Sequence, residues 1–263
     1  MKNTKQRLQE IRENSYELNF NDVFNESFEN YKKIALAGGL SFLILGVVII
    51  AFCLFLYIFA FGFSTFSEGI ASLNITNLHG IGVIIYFLSV VILSAIITPF
   101  YAGIIKMASD ADQNKTVTVG TSFDYYRNVF FMDLFFASLV IASASIGLNF
   151  LLGLIGLNFM GIILSYTIAF FTFLTPLFII FGNLKAIDAI KASFITITKQ
   201  FPVLLGLIII GVLMVCLGIF AFCLGIFFTI PFIYSLYFII YKKAIGIDEY
   251  SEIDEIGLFE DKS

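Results

Sequence analysis

Residues 129–182 read VFFMDLFFASLVIASASIGLNFLLGLIGLNFMGIILSYTIAFFTFLTPLFIIFG, an apolar run with one charge, Asp133. A helix needs about 20 apolar residues to cross the hydrocarbon core of a bilayer. This run is more than twice that length, so it must cross, turn and return. The repeated Gly-Leu-Asn-Phe at 147–150 and 156–159 marks the turn, because Gly and Asn punctuate helices. Arg127 precedes the run and Lys185 follows it, so both ends belong on one side.

The rest of the chain repeats that pattern. All 15 Lys and Arg fall in residues 1–33, 106–127, 185–199 and 242–262. The connectors near 64–80, 150–160 and 222–226 carry none. Basic side chains stay on the cytoplasmic side of a membrane protein. The expectation is an all-α membrane protein with six transmembrane helices and both termini cytoplasmic. The spans are expected at about 34–61, 82–105, 129–148, 160–182, 201–222 and 225–241. Residues 1–33 form an N-terminal segment with an amphipathic helix, 34–241 the membrane domain and 242–263 an acidic tail.

Composition agrees. The chain is 59% hydrophobic and 13% charged, with mean hydropathy +0.97, against about 45–50% and about 25% for a soluble domain. Much of the net charge of −4 comes from the tail, where Asp248–Asp261 holds seven acids. Nucleic acid is therefore not an expected partner. The first 33 residues are polar, with no cleavable signal pattern, so the first span is expected to act as an uncleaved anchor. Cys53, Cys216 and Cys223 lie in apolar runs with no CxxC and are expected to be small hydrophobes in packed helices. His79, the only histidine, falls in an external loop with Glu68, and no metal cluster can be built around it. No nucleophile-elbow, zincin, phosphate-loop or dinucleotide pattern occurs. No cofactor and no catalytic residue are expected, and the chain is read as not an enzyme.

Three units are legible. Before the first span, Phe20, Phe24, Phe28 and Tyr31 fall on one helical face. Before the third, Thr121 and Asp124 suit a capping box, with Phe123, Tyr126 and Phe130 following. Before the fifth, Ile187, Ile190, Phe194 and Ile197 oppose Lys185, Asp188, Lys191 and Lys199. Such segments are expected to lie in the headgroup plane, apolar face down. Ser27-Phe28, Ser122-Phe123 and Ser193-Phe194 recur about seven residues before the odd spans; Ser41-Phe42 does not share that place. Pro99, Pro176 and Pro231 each lie within an even span, where proline removes a backbone hydrogen bond and kinks the helix. Thr98, Thr175 and Thr229 stand beside them, placed to satisfy freed backbone groups. The unit reads as interfacial helix, span and kinked return span; three ordinary hairpins are the alternative.

Candidate polar chemistry inside the membrane is sparse. Asp133 is either a carboxylate reaching the headgroup layer or a proton, ion or headgroup contact inside the bundle, since an intramembrane acid is costly. Lys106 is its candidate partner or a snorkelling anchor. Tyr234, Tyr237 and Tyr241 share one side of the sixth span, as an inner aromatic belt or as the lining of a polar cavity. Small residues such as those of Ala35–Gly39 and Ser138–Gly147 allow close helix packing, within one bundle or in a homo-oligomer.

Three stretches carry a family resemblance: Phe20-Asn-Asp-Val-Phe-Asn-Glu-Ser-Phe28, Ala189-Ile-Lys-Ala-Ser-Phe194 followed by Phe201-Pro-Val-Leu-Leu, and Pro231-Phe-Ile-Tyr-Ser-Leu-Tyr237 with Tyr241. They resemble a set of bacterial six-helix membrane proteins, similar to the membrane domain attached to some glycerophosphoryl diester phosphodiesterases. Many stand-alone members of that set have no known function. The resemblance spans nearly the whole chain and implies an all-helical inner-membrane bundle without catalysis, because the family's phosphodiesterase chemistry lies in a separate soluble barrel. Mitochondrial carriers also combine three two-helix repeats with kinking prolines, but place an acid two residues after each. Here those positions are Tyr101, Phe178 and Ile233. The function expected is binding of membrane lipid or of another membrane protein; the alternative is transport of a small or amphiphilic solute.

Overall fold

The computed structural model describes residues 4–61, 81–220 and 224–247. His79, Glu68, Cys223 and the acidic tail lie outside them. The described chain is helical throughout, without a strand. In order the helices are α1 (Thr4–Asn14), α2 (Phe20–Phe61), α3 (Ile81–Asp112), α4 (Phe131–Leu154), α5 (Asn158–Thr172), α6 (Thr175–Ile180), α7 (Ala186–Lys199), α8 (Phe201–Leu217), α9 (Gly225–Thr229) and α10 (Pro231–Ala244). Short 3-10 helices occupy Val119–Tyr126 and Gly218–Phe220.

Six stretches are long and apolar enough to cross a bilayer: Phe20–Phe52, Phe87–Asp112, Phe131–Leu154, Asn158–Ile180, Phe201–Phe220 and Gly225–Ala244. The chain is an integral membrane protein by that criterion. Buried side chains gather where the basic residues cluster, in Phe100–Ala111, Leu174–Ile180 and Pro231–Ala244. The far halves present exposed apolar side chains, among them Val47, Leu151, Leu213 and Phe220. A surface of that kind suits acyl chains and is foreign to water.

Four local expectations differ from what forms. The first amphipathic segment is not a separate interfacial helix; it is continuous with the first span in α2. Its apolar face meets protein, not headgroups: Phe24, Phe28 and Tyr31 all pack on the Phe232 ring, with centroids 5.6–6.4 Å apart. Burying rings against α10 replaces the lipid contact the sequence pattern suggested. The segment before the third span is a 3-10 helix rather than an α-helix. Its capping box does not form, because Thr121 lies within the helix and Asp124 is drawn to Lys106. The hairpin between the third and fourth spans does not use both Gly-Leu-Asn-Phe copies. α4 runs through the first, and the turn falls at 155–157, where Gly156 takes φ +77°, a conformation glycine adopts without a Cβ penalty.

The fourth difference concerns the prolines. Pro99 is inside continuous α3, whereas Pro176 and Pro231 stand in the first turns of α6 and α10, where the helix has already broken and restarted. First-turn amides have no intrahelical acceptor, so a proline there removes nothing. Nor do the neighbouring threonines take the freed carbonyls. Thr98 donates to Ser94 O at 2.9 Å, and Thr229 reaches Val215 O at 3.0 Å. Thr175 Oγ1 is buried without a partner.

The basic end is tied together by polar contacts. Asn30 donates to Ala108 O at 2.8 Å, and the Ser235 hydroxyl lies 2.7 Å from Asn30 Oδ1 and 2.8 Å from Ser27 O. This network joins α2, α3 and α10. Lys242 holds both carboxylate oxygens of Asp112, at 2.6 and 2.9 Å, and Lys243 pairs with Glu26 at 2.5 Å. The helix α1, which no periodic pattern announced, docks on α7. Tyr16 donates to Thr196 O, Lys199 to Arg12 O and the Gln200 amide to Tyr16 O. Burial raises the Tyr16 phenol well above its usual range, so its hydroxyl keeps its proton at any physiological pH.

Candidate functional site

A partly open cavity of about 460 Å³ lies between α3, α4, the α5–α6 break and α10. That volume falls within the roughly 300–1,000 Å³ usual for small-ligand sites. It reaches well into the membrane. Tyr101 and Tyr237 each stand five residues before a lysine, Lys106 and Lys242, hence about 7–8 Å deeper along a helix. Ser145, at its other end, is twelve residues beyond Asp133, or about 18 Å.

The side chains around it are of two kinds. Ile97, Ile141, Ile146, Phe173 and others make an apolar wall. Hydroxyls interrupt it, and no lining residue carries a charge. Some hydroxyls are already satisfied by their own helix: Ser94 donates to Val90 O at 2.8 Å and Thr172 to Ile168 O at 2.7 Å. Others are not. Thr175, 1% exposed, has no hydrogen-bond partner. The Tyr101, Tyr234 and Tyr237 hydroxyls make no hydrogen bond to the described protein either. Their rings are fixed by packing: Tyr101 stacks on Tyr234 at 5.5 Å, Tyr234 meets Tyr237 at 5.9 Å, and Phe173 holds Tyr237 at 4.6 Å. The result is an apolar chamber with convergent, uncharged hydrogen-bonding groups.

Neither a family model, nor a curated protein, nor a solved structure matches this chain. The site therefore stands on its own geometry.

The polar residues singled out from sequence separate into two places. Tyr234 and Tyr237 line the cavity, as does Pro176. Asp133 and Lys106 do not. Asp133 pairs with Lys185 at 3.3 Å rather than with Lys106, and its other oxygen accepts the Ala186 N–H at 3.4 Å. It thus stands over the N-terminus of α7, where a carboxylate is favoured by unpaired amides and the helix dipole. Lys106 meets Asp124 at 3.1 Å, which holds the 3-10 helix onto α3. Pro99 sits beside the lining residue Thr98, and Pro231 packs away from the cavity, its Cγ 2.9 Å from where a Cβ on Gly38 would lie.

Tyr101, Ser138 and Thr175 line the cavity too, although in the sequence they stand out only as neighbours of prolines or as a small packing residue. Single hydroxyls in an apolar run give no periodic signal. Only the meeting of three helices turns them into one surface.

Proposed function

We propose that this protein is a non-catalytic membrane protein of the bacterial inner membrane that binds a lipid in this cavity. The observation that carries the reading is the cavity itself: apolar walls, uncharged hydroxyls and a position inside the hydrocarbon layer. Nothing around it pairs an acid with a base, as general acid–base chemistry needs. The reading keeps both termini cytoplasmic, as the Lys and Arg distribution implies, and keeps the resemblance to phosphodiesterase-associated membrane domains as its evolutionary setting. Native mass spectrometry of the detergent-purified chain tests it. Lipid should co-purify with the protein and be lost from Ala142→Phe, which fills the chamber. Equal retention by both would remove the reading.

A second reading, transport of a neutral solute, draws on the helix breaks at Phe173–Leu174 and at Ile230, the first of which borders the cavity. Broken helices commonly flank transporter sites. Flux of glycerol into proteoliposomes, abolished by Ala142→Phe, would favour it over binding alone.

The threefold repeat is also proposed, and the docking of the marker serines supports it. Ser27 O accepts from Ser235 on α10, Ser122 packs against Gly103 on α3, and Ser193 donates to Phe171 O on α5 at 2.9 Å. Each segment before an odd span thus rests on an even span, and the first closes the ring onto the last. Pro99 and Pro231 share further register. Four residues on stands the small residue that meets the serine, Gly103 or Ser235. Fifteen residues on, the backbone turns left-handed, at Asn114 (φ 55°) and Gly246 (φ 89°). In the middle unit Asn183 (φ 49°) follows Pro176 by only seven, about two helical turns sooner.

A further inference from the structure

The cavity also specifies its ligand's headgroup. This step rests on the lipid-binding reading above and narrows it. We propose that the site selects a neutral glycerolipid bearing a free hydroxyl and ester carbonyls, a diacylglycerol, over anionic phospholipids.

Thr175 Oγ1 is one of two buried side-chain polar atoms without a partner among the described residues, and Thr175 is one of the residues lining the cavity. A buried hydroxyl left unpaired is unfavourable, so such a group in a native chamber calls for a partner. Tyr101, Tyr234 and Tyr237 add three more hydroxyls that no group among the described residues hydrogen-bonds. Each can donate and accept, as can a glycerol hydroxyl; ester carbonyls accept.

Charge decides between lipid classes. A phosphate at this depth would need a cation, and none lines the chamber. The nearest basic residues stand at the rim: Lys106 and Lys242 are held by Asp124 and Asp112, Lys185 beyond α6 is held by Asp133, and Arg127 lies exposed ahead of α4, seven residues before the first lining residue on that helix, Leu134. Transferring an uncompensated anion into an apolar chamber is far costlier than transferring a hydrogen-bonded hydroxyl. Apolar walls on α4, Ile141 and Ile146, extend toward the membrane centre, where acyl chains belong.

Photocrosslinking in nanodiscs tests this, using the full chain and two probes with the same photoactivatable acyl chain, a diacylglycerol and a phosphatidylglycerol. At equal mole fraction the diacylglycerol should label peptides from residues 134–179 at least tenfold more. Thr175→Val keeps the shape and removes the orphan hydroxyl. It should reduce diacylglycerol labelling about fivefold, the worth of one neutral hydrogen bond, while the melting temperature stays level or rises. Tyr237→Phe, on another helix, should give a similar loss and guards against a folding defect in the first variant. Equal labelling by both probes, or labelling indifferent to both variants, overturns the inference. If phosphatidylglycerol labels the same peptides and Ala142→Phe blocks it, lipid binding stands and the headgroup selectivity falls. If neither probe labels them, the binding reading itself falls.

Discussion

At the scale of single residues, burial ranks the polar contacts in an order the sequence did not suggest. Asp133 drew attention as the one acid inside a span, yet it sits at a rim. Its partner Lys185 has a side chain 70% exposed, and exposed pairs contribute about 0–1 kcal/mol. Its second role, accepting the Ala186 amide, survives in Asp133→Asn, since asparagine also caps helices. Asn30 has no charge and drew no attention. It is 5% exposed and joins three helices through Ala108 O and Ser235. Removing it leaves a buried carbonyl and a buried hydroxyl to find new partners, at roughly 1–3 kcal/mol for each group left unpaired. Thermal melting in detergent should therefore place Asn30→Leu well below the parent protein and Asp133→Asn within about 1 kcal/mol of it. The reverse order would mean that the acid is buried in the membrane-embedded protein.

At the scale of elements, three similar prolines act in different local settings. Pro99 interrupts a helix that continues past it; Pro176 and Pro231 open helices. Pro99→Ala allows the hydrogen bond to the Ala95 carbonyl to form. Its gain is bounded by about 3 kcal/mol, the interior cost of proline, and packing shaped to the bend offsets part of that. Pro231→Ala restores no needed bond and loses contact at Gly38, roughly 1–2 kcal/mol for the ring carbons removed. Melting should rise or hold for the first and fall for the second. Identical shifts would show that helix restart at Ile230 does not set the role of Pro231. Close backbone approach also acts at this scale. A Cβ on Gly103 would lie 2.3 Å from Ser122 O, so only glycine lets the 3-10 helix rest on α3.

For the whole molecule, topology and closure are the issues. In the proposed topology, an even number of crossings and the clustered cations put both ends on one side. A reporter fused after Ser263 or inserted near Asn114 or Asp188 should be cytoplasmic, and one near Asn74 external. An external C-terminus would require an odd number of crossings and end the six-span reading. Closure comes from the chain ends: α10 packs against both α2 and α3, and Arg7 of α1 donates to Ala244 O at 3.1 Å. The basic end is consequently the well-packed half of the bundle, and the cavity opens above it.

The number of spans was legible along the chain, because a bilayer imposes length and apolarity on each helix separately. Residues 129–182 needed no partner to declare a hairpin. The turn at Gly156, rather than at Gly147, was not legible, since both copies of Gly-Leu-Asn-Phe suit a turn and only packing of α4 against α5 chose between them. Tyr234 and Tyr237 were readable as one face of a helix, but not as a cavity lining in preference to an aromatic belt. Thr175 was readable only as a neighbour of Pro176 and Tyr101 only as a neighbour of Pro99, neither as a cavity hydroxyl. Local pattern encodes what a helix must do against lipid. Which hydroxyls meet, which cation reaches Asp133 and whether a proline bends a helix or begins one depend on contacts between helices remote in sequence, and those only the tertiary structure decided.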